Sequence, residues 1–270
     1  MKSLVLAALL GLFTAYADAA RGGDFATETL DATFKLFHPD STATCFLVRR
    51  DQSPEDDSVY LVTAGHVLEG TKGETAILVL RERREDGSYA RHDHTIAVRR
   101  QDQPLWRKHP TEDAVVLRLA GKLPVPAAAL PMSTLADEEG LTKSGLHICS
   151  QVFALSYPQR FEANEAGFAV ARQGIIASHP FVPVARYHTF LADVTAFSGD
   201  SGGPVFVEGK EGHPLIIGIG VGQYRHVEKV ETEFEERATH HPLGIGIVLH
   251  AQFVRETIEV AAKGTDSKPQ

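Results

Sequence analysis

The chain has few cysteines and no excess of basic residues, and each shortage excludes a class of protein. Only two cysteines, Cys45 and Cys149, occur among its 270 residues. That is too few for a small scaffold held together by several disulfides. The formal net charge is −8, which argues against nucleic acid as the main partner. No internal repeat occurs either, so an array of repeated units is not expected.

A long hydrophobic run occurs only at the N-terminus. Lys2 precedes the apolar stretch Leu4–Phe13, and Ala17-Asp18-Ala19 has the small residues of a cleavage site. The stretch is too short to be a convincing membrane span. We therefore predict a signal peptide over residues 1–19, and a secreted or periplasmic protein that has no membrane contact after cleavage. An uncleaved anchor is the alternative.

The remaining residues predict an all-β protein. Hydrophobic residues make up 43% of the chain, enough to fill one large core or two fused barrels. Short β-branched and aromatic runs alternate with turn residues and show little helical periodicity. The first six predicted strands are Thr33–Phe37, Thr44–Arg49, Ser58–Thr63, Thr75–Arg81, Tyr89–Arg99 and Ala114–Leu119.

A glycine-flanked serine is the most informative motif. Ser201 lies within Gly199-Asp200-Ser201-Gly202-Gly203-Pro204. A serine hydroxyl is a poor nucleophile unless a base takes its proton and fixed donors hold the oxyanion that it creates. Gly199 allows a turn in which its own N–H and that of Ser201 point at one spot, while the glycines after the serine leave room for a substrate carbonyl. The motif therefore predicts acyl transfer.

The same five residues also fit the nucleophile elbow of the α/β-hydrolases, a different fold. That elbow needs a helix directly after the serine, with its acid and histidine downstream. Here Pro204 and the apolar run Val205–Val207 follow, which predict a short strand instead. The elbow interpretation is therefore disfavoured.

Two partners for the serine lie upstream of it. His66 ends the strand-like run Val59–Ala64, and Asp113 stands at the start of the apolar run Ala114–Leu119. An imidazole N–H is a natural partner for a carboxylate that is buried at such a position. Taken alone, His66 could be a surface histidine and Asp113 an ordinary turn aspartate.

Together these segments resemble the trypsin-like (chymotrypsin-fold) serine endopeptidases. The motifs are Thr63-Ala64-Gly65-His66, Asp113 with its apolar strand, and the Ser201 turn, in the order of that family. The resemblance extends to Phe153–Pro158 and Gly244–Val248. It implies two six-stranded antiparallel β-barrels with the active site between them, and a C-terminal helix. The implied boundaries are 20–120 for the first barrel, 121–143 for a linker, 144–250 for the second barrel, and 251–270 for the helix and tail.

The resemblance also implies a role for each site residue. Ser201 would be the nucleophile, His66 the general base and then acid, and Asp113 the group that fixes the imidazole tautomer. The N–H groups of Gly199 and Ser201 would form the oxyanion hole. Polypeptides would be the substrates of a monomer that needs no cofactor or metal. Because His92-Asp93-His94 lie on a predicted hairpin strand of mixed charge, we interpret them as solvated surface and not as metal ligands.

Substrate preference is predicted only coarsely. The resemblance places Thr195 at the floor of the specificity pocket, Ala196 beside it, and residues 220–223 at its wall. The neutral Thr195 predicts no strong preference for Lys or Arg and weakly favours uncharged residues. A preference for glutamate would need a cationic pocket group, for which the sequence offers no well-placed candidate.

Several features depart from the family. Asp200 would normally pair with a new N-terminal amine, but no Ile-Val-Gly-Gly start exists here. We expect an arginine or backbone N–H groups to replace that amine, so that only the signal peptide must be removed; activation through an unidentified N-terminus is the alternative. The two cysteines would fall in different barrels, and we expect both to be unbonded core residues.

The acidic segment 225–241 is interpreted as a flexible solvated loop, with a substrate-selecting element as the alternative. A catalytically dormant binding protein is the alternative function.

Overall fold

The computed structural model of the protein describes residues 24–39, 41–50, 58–232 and 235–266. The predicted signal peptide, residues 1–19, lies outside these ranges. Within them, no helix combines the length and apolar character that crossing a membrane requires. The architecture is mostly β, with two curled antiparallel sheets and a C-terminal helix, as the resemblance implied.

The first barrel follows a short helix, α1 (Phe25–Asp31), which Asp24 caps by accepting a hydrogen bond from the Ala26 N–H. The strands of its sheet are β1 (Thr33–His38), β2 (Ser41–Arg49), β3 (Val59–Ala64), β4 (Thr75–Arg83), β5 (Tyr89–Ala97), β8 (Arg107–Lys108), β9 (Ala114–Arg118) and β10 (Leu130–Pro131). They run in the order β5-β4-β1-β2-β3-β9-β8, and the short β10 pairs in parallel with β2. The six long strands agree with the six that the sequence predicts.

Two further small elements complete this half of the chain. Strands β6 (Arg99–Arg100) and β7 (Gln103–Pro104) form a separate two-stranded pair. A short helix, α2 (Gly65–Glu69), follows β3 directly. The predicted linker, residues 121–143, contains β10 and runs into helix α3 (Glu138–Ser144), whose cap Asp137 accepts from the Gly140 N–H at 2.8 Å.

The second barrel has six strands: β11 (Gln151–Ser156), β12 (Val170–Ile175), β13 (Thr189–Ala192), β14 (Pro204–Glu208), β15 (Pro214–Glu231) and β16 (Glu236–His250). They run in the order β12-β11-β14-β15-β16-β13. The final helix, α4 (Ala251–Asp266), packs back onto β9 of the first barrel. This helix starts where the sequence predicted it.

Strand β2 is buried on both faces because it contributes to two cores. Cys45 and Leu47 pack inside the first barrel, while Phe46 and Val48 belong to the cluster that fills the second barrel and the space between the two. A strand that is covered on both sides reads as a continuous apolar run instead of an alternating one. The two barrels therefore pack against each other along β2, and the site lies where they meet.

Two expectations were wrong in detail. Residues 225–231 and 236–241 do not form a loop: they extend the β15–β16 hairpin, with cross-strand pairs from Arg225–Pro242 out to Glu231–Glu236. Both cysteines are unbonded, but only Cys45 is a core residue. Cys149 is exposed because it lies in the turn before β11, with a φ of +70°.

Thr44 on β2 ties the first barrel to the serine turn of the second. Its N–H donates to the Ser201 carbonyl at 3.0 Å, and its hydroxyl donates to the Gly199 carbonyl at 2.8 Å. The same hydroxyl accepts from the Tyr157 N–H at 3.1 Å. Thr44 is fully buried. If its hydroxyl were removed, the Gly199 carbonyl and the Tyr157 N–H would lose their partner and would gain no water in its place.

We predict that Thr44→Val destabilises the protein by about 2–3 kcal/mol, since it leaves a buried carbonyl and a buried N–H unpaired at nearly constant volume. The free energy of unfolding, measured by urea denaturation, checks this. The matched control is Thr75→Val on β4, which is exposed and should change stability by less than about 0.5 kcal/mol. Equal effects of the two variants would contradict the prediction.

Candidate active site between the barrels

His66 is positioned by the junction between β3 and α2. Its neighbour Gly65 donates its N–H to the Asp113 carbonyl at 3.1 Å. A Cβ at Gly65 would lie only 2.7 Å from Asp113 Oδ1, closer than real contacts allow. Glycine at this position therefore lets the histidine segment approach the carboxylate directly.

The strand register brings Asp113 to His66. Strands β3 and β9 pair with Ala64 opposite Ala114, so the residues just beyond these ends are neighbours. Asp113 Oδ1 accepts from the His66 backbone N–H at 2.8 Å, and Oδ2 lies 2.7 Å from the ring Nδ1. A carboxylate can only accept, so Nδ1 carries the proton and the other ring nitrogen, Nε2, is free to accept one.

Ser201 completes the chain of hydrogen bonds. Its Oγ lies 2.9 Å from His66 Nε2. With Nδ1 protonated, the serine hydroxyl donates to the imidazole, which is the direction that proton removal requires. The structure thus brings together the three side chains that the sequence analysis selected, from three different segments of the chain. After Ser201 the chain turns into β14 rather than a helix, so the α/β-hydrolase elbow is excluded.

The carboxylate is held in its ionised form by its partners. Partial burial raises the pKa of Asp113, but the hydrogen bonds from the His66 ring and backbone N–H outweigh it and hold the pKa below its ordinary value of 3.8. Lys108 adds a smaller effect in the same direction. The Asp113 carboxylate is more open than the buried group expected from the sequence: 35% of its side chain is exposed, and 49% of that of His66.

The turn before Ser201 leaves two donors without protein acceptors. Gly199 has a φ of +100°, and a Cβ there would lie 2.2 Å from the Tyr157 carbonyl oxygen, so only glycine fits. In the part of the chain that is described, neither the Gly199 N–H nor the Ser201 N–H donates to another protein atom. These donors are available to a ligand oxygen in the adjoining cleft, whose volume is about 490 Å³.

The cleft corrects one predicted pocket residue. Ala196 lines it, together with Phe197 and the strand segment 220–223. Thr195 does not: its side chain is exposed and lies beside Gly244, because the chain between β13 and the serine turn carries this residue away from the cleft. Arg225 does line the cleft, and the sequence analysis missed it because its distance from Ser201 along the chain gives no signal.

Asp200 has a partner within the second barrel. Arg172 Nη2 lies 2.7 Å from Asp200 Oδ2, and the Phe197 N–H donates to the same oxygen at 2.7 Å. Arg172 also donates to the Thr195 carbonyl through Nη1, and to Ser156 Oγ at 2.6 Å through Nη2. An arginine and a backbone N–H therefore both replace the missing amine, as expected. Ser156 thus supplies one of the acceptors of Arg172.

Metal ligands are not grouped in the part of the chain described here. Across residues 24–39, 41–50, 58–232 and 235–266, no cluster of three or more His, Cys, Asp or Glu side chains could hold an ion. His92 and His94 alternate along β5, and the Asp93 between them pairs with Arg91 at 2.7 Å.

Comparison with known proteins defines the class. The family model described as the trypsin-like peptidase domain matches residues 43–219, well over half of the chain and including all three site residues. The chain belongs to the trypsin-like peptidase family. It is accordingly a protease of the trypsin fold.

Two of the solved structures that match the chain are of one protein, Rv3671c of M. tuberculosis H37Rv. Rv3671c, crystallised as a serine-to-alanine mutant in an inactive form, is 18% identical, with a TM-score of 0.46 and 90% of each chain covered. A second structure, of the Rv3671c protease in an inactive form, is 17% identical, with a TM-score of 0.47; 86% of this chain and 90% of that chain are covered. Among curated proteins no significant match exists.

The lowered pKa of Asp113 predicts a pH-dependent contribution to stability. Because the folded pKa lies below the unfolded value near 3.8, the contribution is complete above that value and is lost as the pH falls through the folded pKa. The difference in unfolding free energy between wild type and Asp113→Asn should therefore shrink below about pH 4. Urea denaturation between pH 6 and pH 2.5 measures it. In a His66→Ala background the dependence should weaken, and a constant difference in the wild-type background would contradict the prediction.

Proposed function

We propose that the protein is a serine endopeptidase that hydrolyses peptide bonds through an acyl-enzyme intermediate, with His66, Asp113 and Ser201 as its catalytic triad. One observation carries the proposal: the continuous hydrogen-bond chain from Asp113 Oδ2 to His66 Nδ1 at 2.7 Å, and from His66 Nε2 to Ser201 Oγ at 2.9 Å. This chain is what a weak hydroxyl nucleophile needs in order to react.

The reaction follows from the direction of these hydrogen bonds. Ser201 Oγ attacks the substrate carbonyl carbon while His66 Nε2 takes its proton, and the N–H groups of Gly199 and Ser201 hold the developing oxyanion. His66 then gives that proton to the leaving amine, and the acyl-enzyme forms. Water, deprotonated by the same imidazole, releases the acid and restores the serine. Asp113 stays ionised throughout, because its role is to orient and stabilise the imidazolium.

We further propose that the substrates are polypeptides met outside the cytoplasm by a secreted or periplasmic monomer. The support is the signal-like N-terminal sequence and the open cleft of about 490 Å³ beside Ser201, which can admit an extended chain.

Labelling of the purified protein with a fluorophosphonate probe tests the nucleophile without knowledge of the substrate. We expect wild type to be labelled covalently, and both Ser201→Ala and His66→Ala to lose labelling, because the first lacks the nucleophile and the second its base. Ser88→Ala and His147→Ala, at exposed positions outside the cleft, are matched controls and should label like wild type. A folded wild type that is not labelled would contradict the proposal and favour the dormant binding protein.

We also propose that removal of the signal peptide is the only processing that activity requires. The Arg172–Asp200 ion pair supports this. In trypsin-like zymogens, cleavage creates the N-terminal amine that pairs with this aspartate, whereas here Arg172 of the second barrel pairs with it. Arg172 and Asp200 are both mostly buried, at 19% and 9% exposed, so the pair is shielded from solvent. The pair involves Asp200, the residue before Ser201, and therefore fixes the position of the serine turn.

Replacement of Arg172 should inactivate the serine turn. Arg172→Met leaves Asp200 buried without its cation, and breaking such a pair costs about 3–5 kcal/mol. We expect the labelling rate of Ser201 to fall on the order of 100-fold or more, with partial recovery in Arg172→Lys. Arg118→Met, at an exposed position on β9, is the control. Full labelling of Arg172→Met, or activity of the wild type that appears only after internal cleavage, would contradict the proposal.

A further inference from the structure

An arginine lies at the active-site cleft where the sequence analysis found no cation. Arg225 lines the cleft together with Ala196, Gly222 and Gln223. It follows a register shift in the β15–β16 pairing between Gln223 and Arg225. Such an irregularity redirects side chains relative to a regular strand. Simple alternation along β15 would therefore not have predicted where Arg225 points.

Gln223 fixes the guanidinium of Arg225 beside the cleft wall. In the amide orientation that satisfies both ends of Gln223, its nitrogen donates to the Ala196 carbonyl, and its oxygen accepts from Arg225 Nη2 at 2.8 Å and Nε at 3.1 Å. This bridge joins the strand that carries Arg225 to the segment just before the serine turn. A side chain that is held in advance loses less entropy when it binds a ligand.

The bridge uses one edge of the guanidinium and leaves another free. An arginine has five N–H donors in a planar fork, of which Gln223 takes one on Nε and one on Nη2. The end formed by Nη1 and Nη2 keeps a parallel pair of N–H groups. That pair matches the two oxygens of a carboxylate.

Among the residues that the structure describes, no acidic side chain forms an ion pair with Arg225. No carboxylate there lies within 4 Å of its guanidinium, whereas Asp200, the acidic residue that lines the cleft, is paired with Arg172. The glutamates of the hairpin lie further along it, and Glu228 contacts His241 at 3.1 Å. The cleft therefore holds one fixed positive charge without an opposite charge next to it.

The position of this charge relative to Ser201 is set by the strand that carries it. Gly220 on β15 accepts from the Gly202 N–H at 2.8 Å and donates to the Gly203 carbonyl at 2.9 Å. The segment from Gly220 to Arg225 thus starts beside the nucleophile turn and runs along the cleft wall. Gly220 and Gly222 contribute no side chains to this part of the cleft wall, which leaves room there for a substrate side chain.

We propose that this cleft selects an acidic residue, glutamate or aspartate, immediately before the scissile bond, with Arg225 as the residue that binds its carboxylate. The inference rests on the proposed peptidase function, since it assigns the substrate of that same site. It replaces the expectation of an uncharged residue, which depended on Thr195 forming the pocket floor.

The test compares paired fluorogenic peptides that differ only in Glu, Gln or Lys before the cleaved bond. We expect kcat/KM for the Glu peptide to exceed that for the Gln peptide about tenfold, the range of a charge-assisted hydrogen bond that is partly open to solvent. Arg225→Met should abolish this ratio by lowering the Glu value alone. Arg225→Glu should reverse it in favour of the Lys peptide. Arg237→Met, at an exposed position on the same hairpin, should leave the ratio unchanged.

Fluorophosphonate labelling of every variant separates the two proposals. If wild type is labelled and cleaves the Gln peptide as fast as the Glu peptide, or if the Arg225→Met variant keeps the preference, the acidic specificity is wrong while the peptidase function stands. If a peptide library shows the acidic preference at another position of the substrate, the assignment of Arg225 is also overturned. If folded wild type is neither labelled nor active, the peptidase function itself fails.

Discussion

The serine turn depends on hydrogen bonds that come from the other barrel. Thr44 binds the carbonyls of Gly199 and Ser201, and its own carbonyl accepts from Thr63 Oγ1 at 2.8 Å. Gly202 passes so close that a Cβ would lie 2.1 Å from that same Thr63 oxygen. The glycine-rich motif is therefore required by this close approach of two backbones as much as by access for a substrate. The alignment of Ser201 with His66 rests on this contact.

The positions of the charged side chains around the site are set by strand pairing. The β3–β9 register places Asp113 beside His66, and the β11–β12 register places Arg172 opposite Ala154, close enough for Arg172 to reach Ser156 and Asp200. Antiparallel pairing determines such neighbours to within a residue. The sheets thus set the electrostatics of the site, while the segments that follow or connect the strands supply His66 and Ser201.

The sequence predicted the parts of this site that local chemistry encodes, and missed those that depend on how strands pair. His66, Asp113 and Ser201 each stand in a short motif, and five of the six long strands of the first barrel are rich in apolar residues; the sixth, β5, is largely polar. The sequence predicted an arginine as one possible partner of Asp200 but did not identify it as Arg172, because that contact depends on the β11–β12 register. Thr195 was assigned to the pocket by counting residues, which fails where the chain bends away. The hairpin over 225–241 was missed because its polar strands lack an apolar face.

The contact at Thr44 also determines when during folding the site can form. Strand β2 and the serine turn are more than 150 residues apart in the chain, so their hydrogen bonds are among the most non-local in the molecule. Closing so long a loop costs chain entropy, and folds rich in such non-local contacts fold slowly. A chain in which only one barrel has formed lacks the hydrogen bonds from Thr44 to Gly199 and Ser201. The Ser201 turn therefore reaches the arrangement described here only when both barrels are in place.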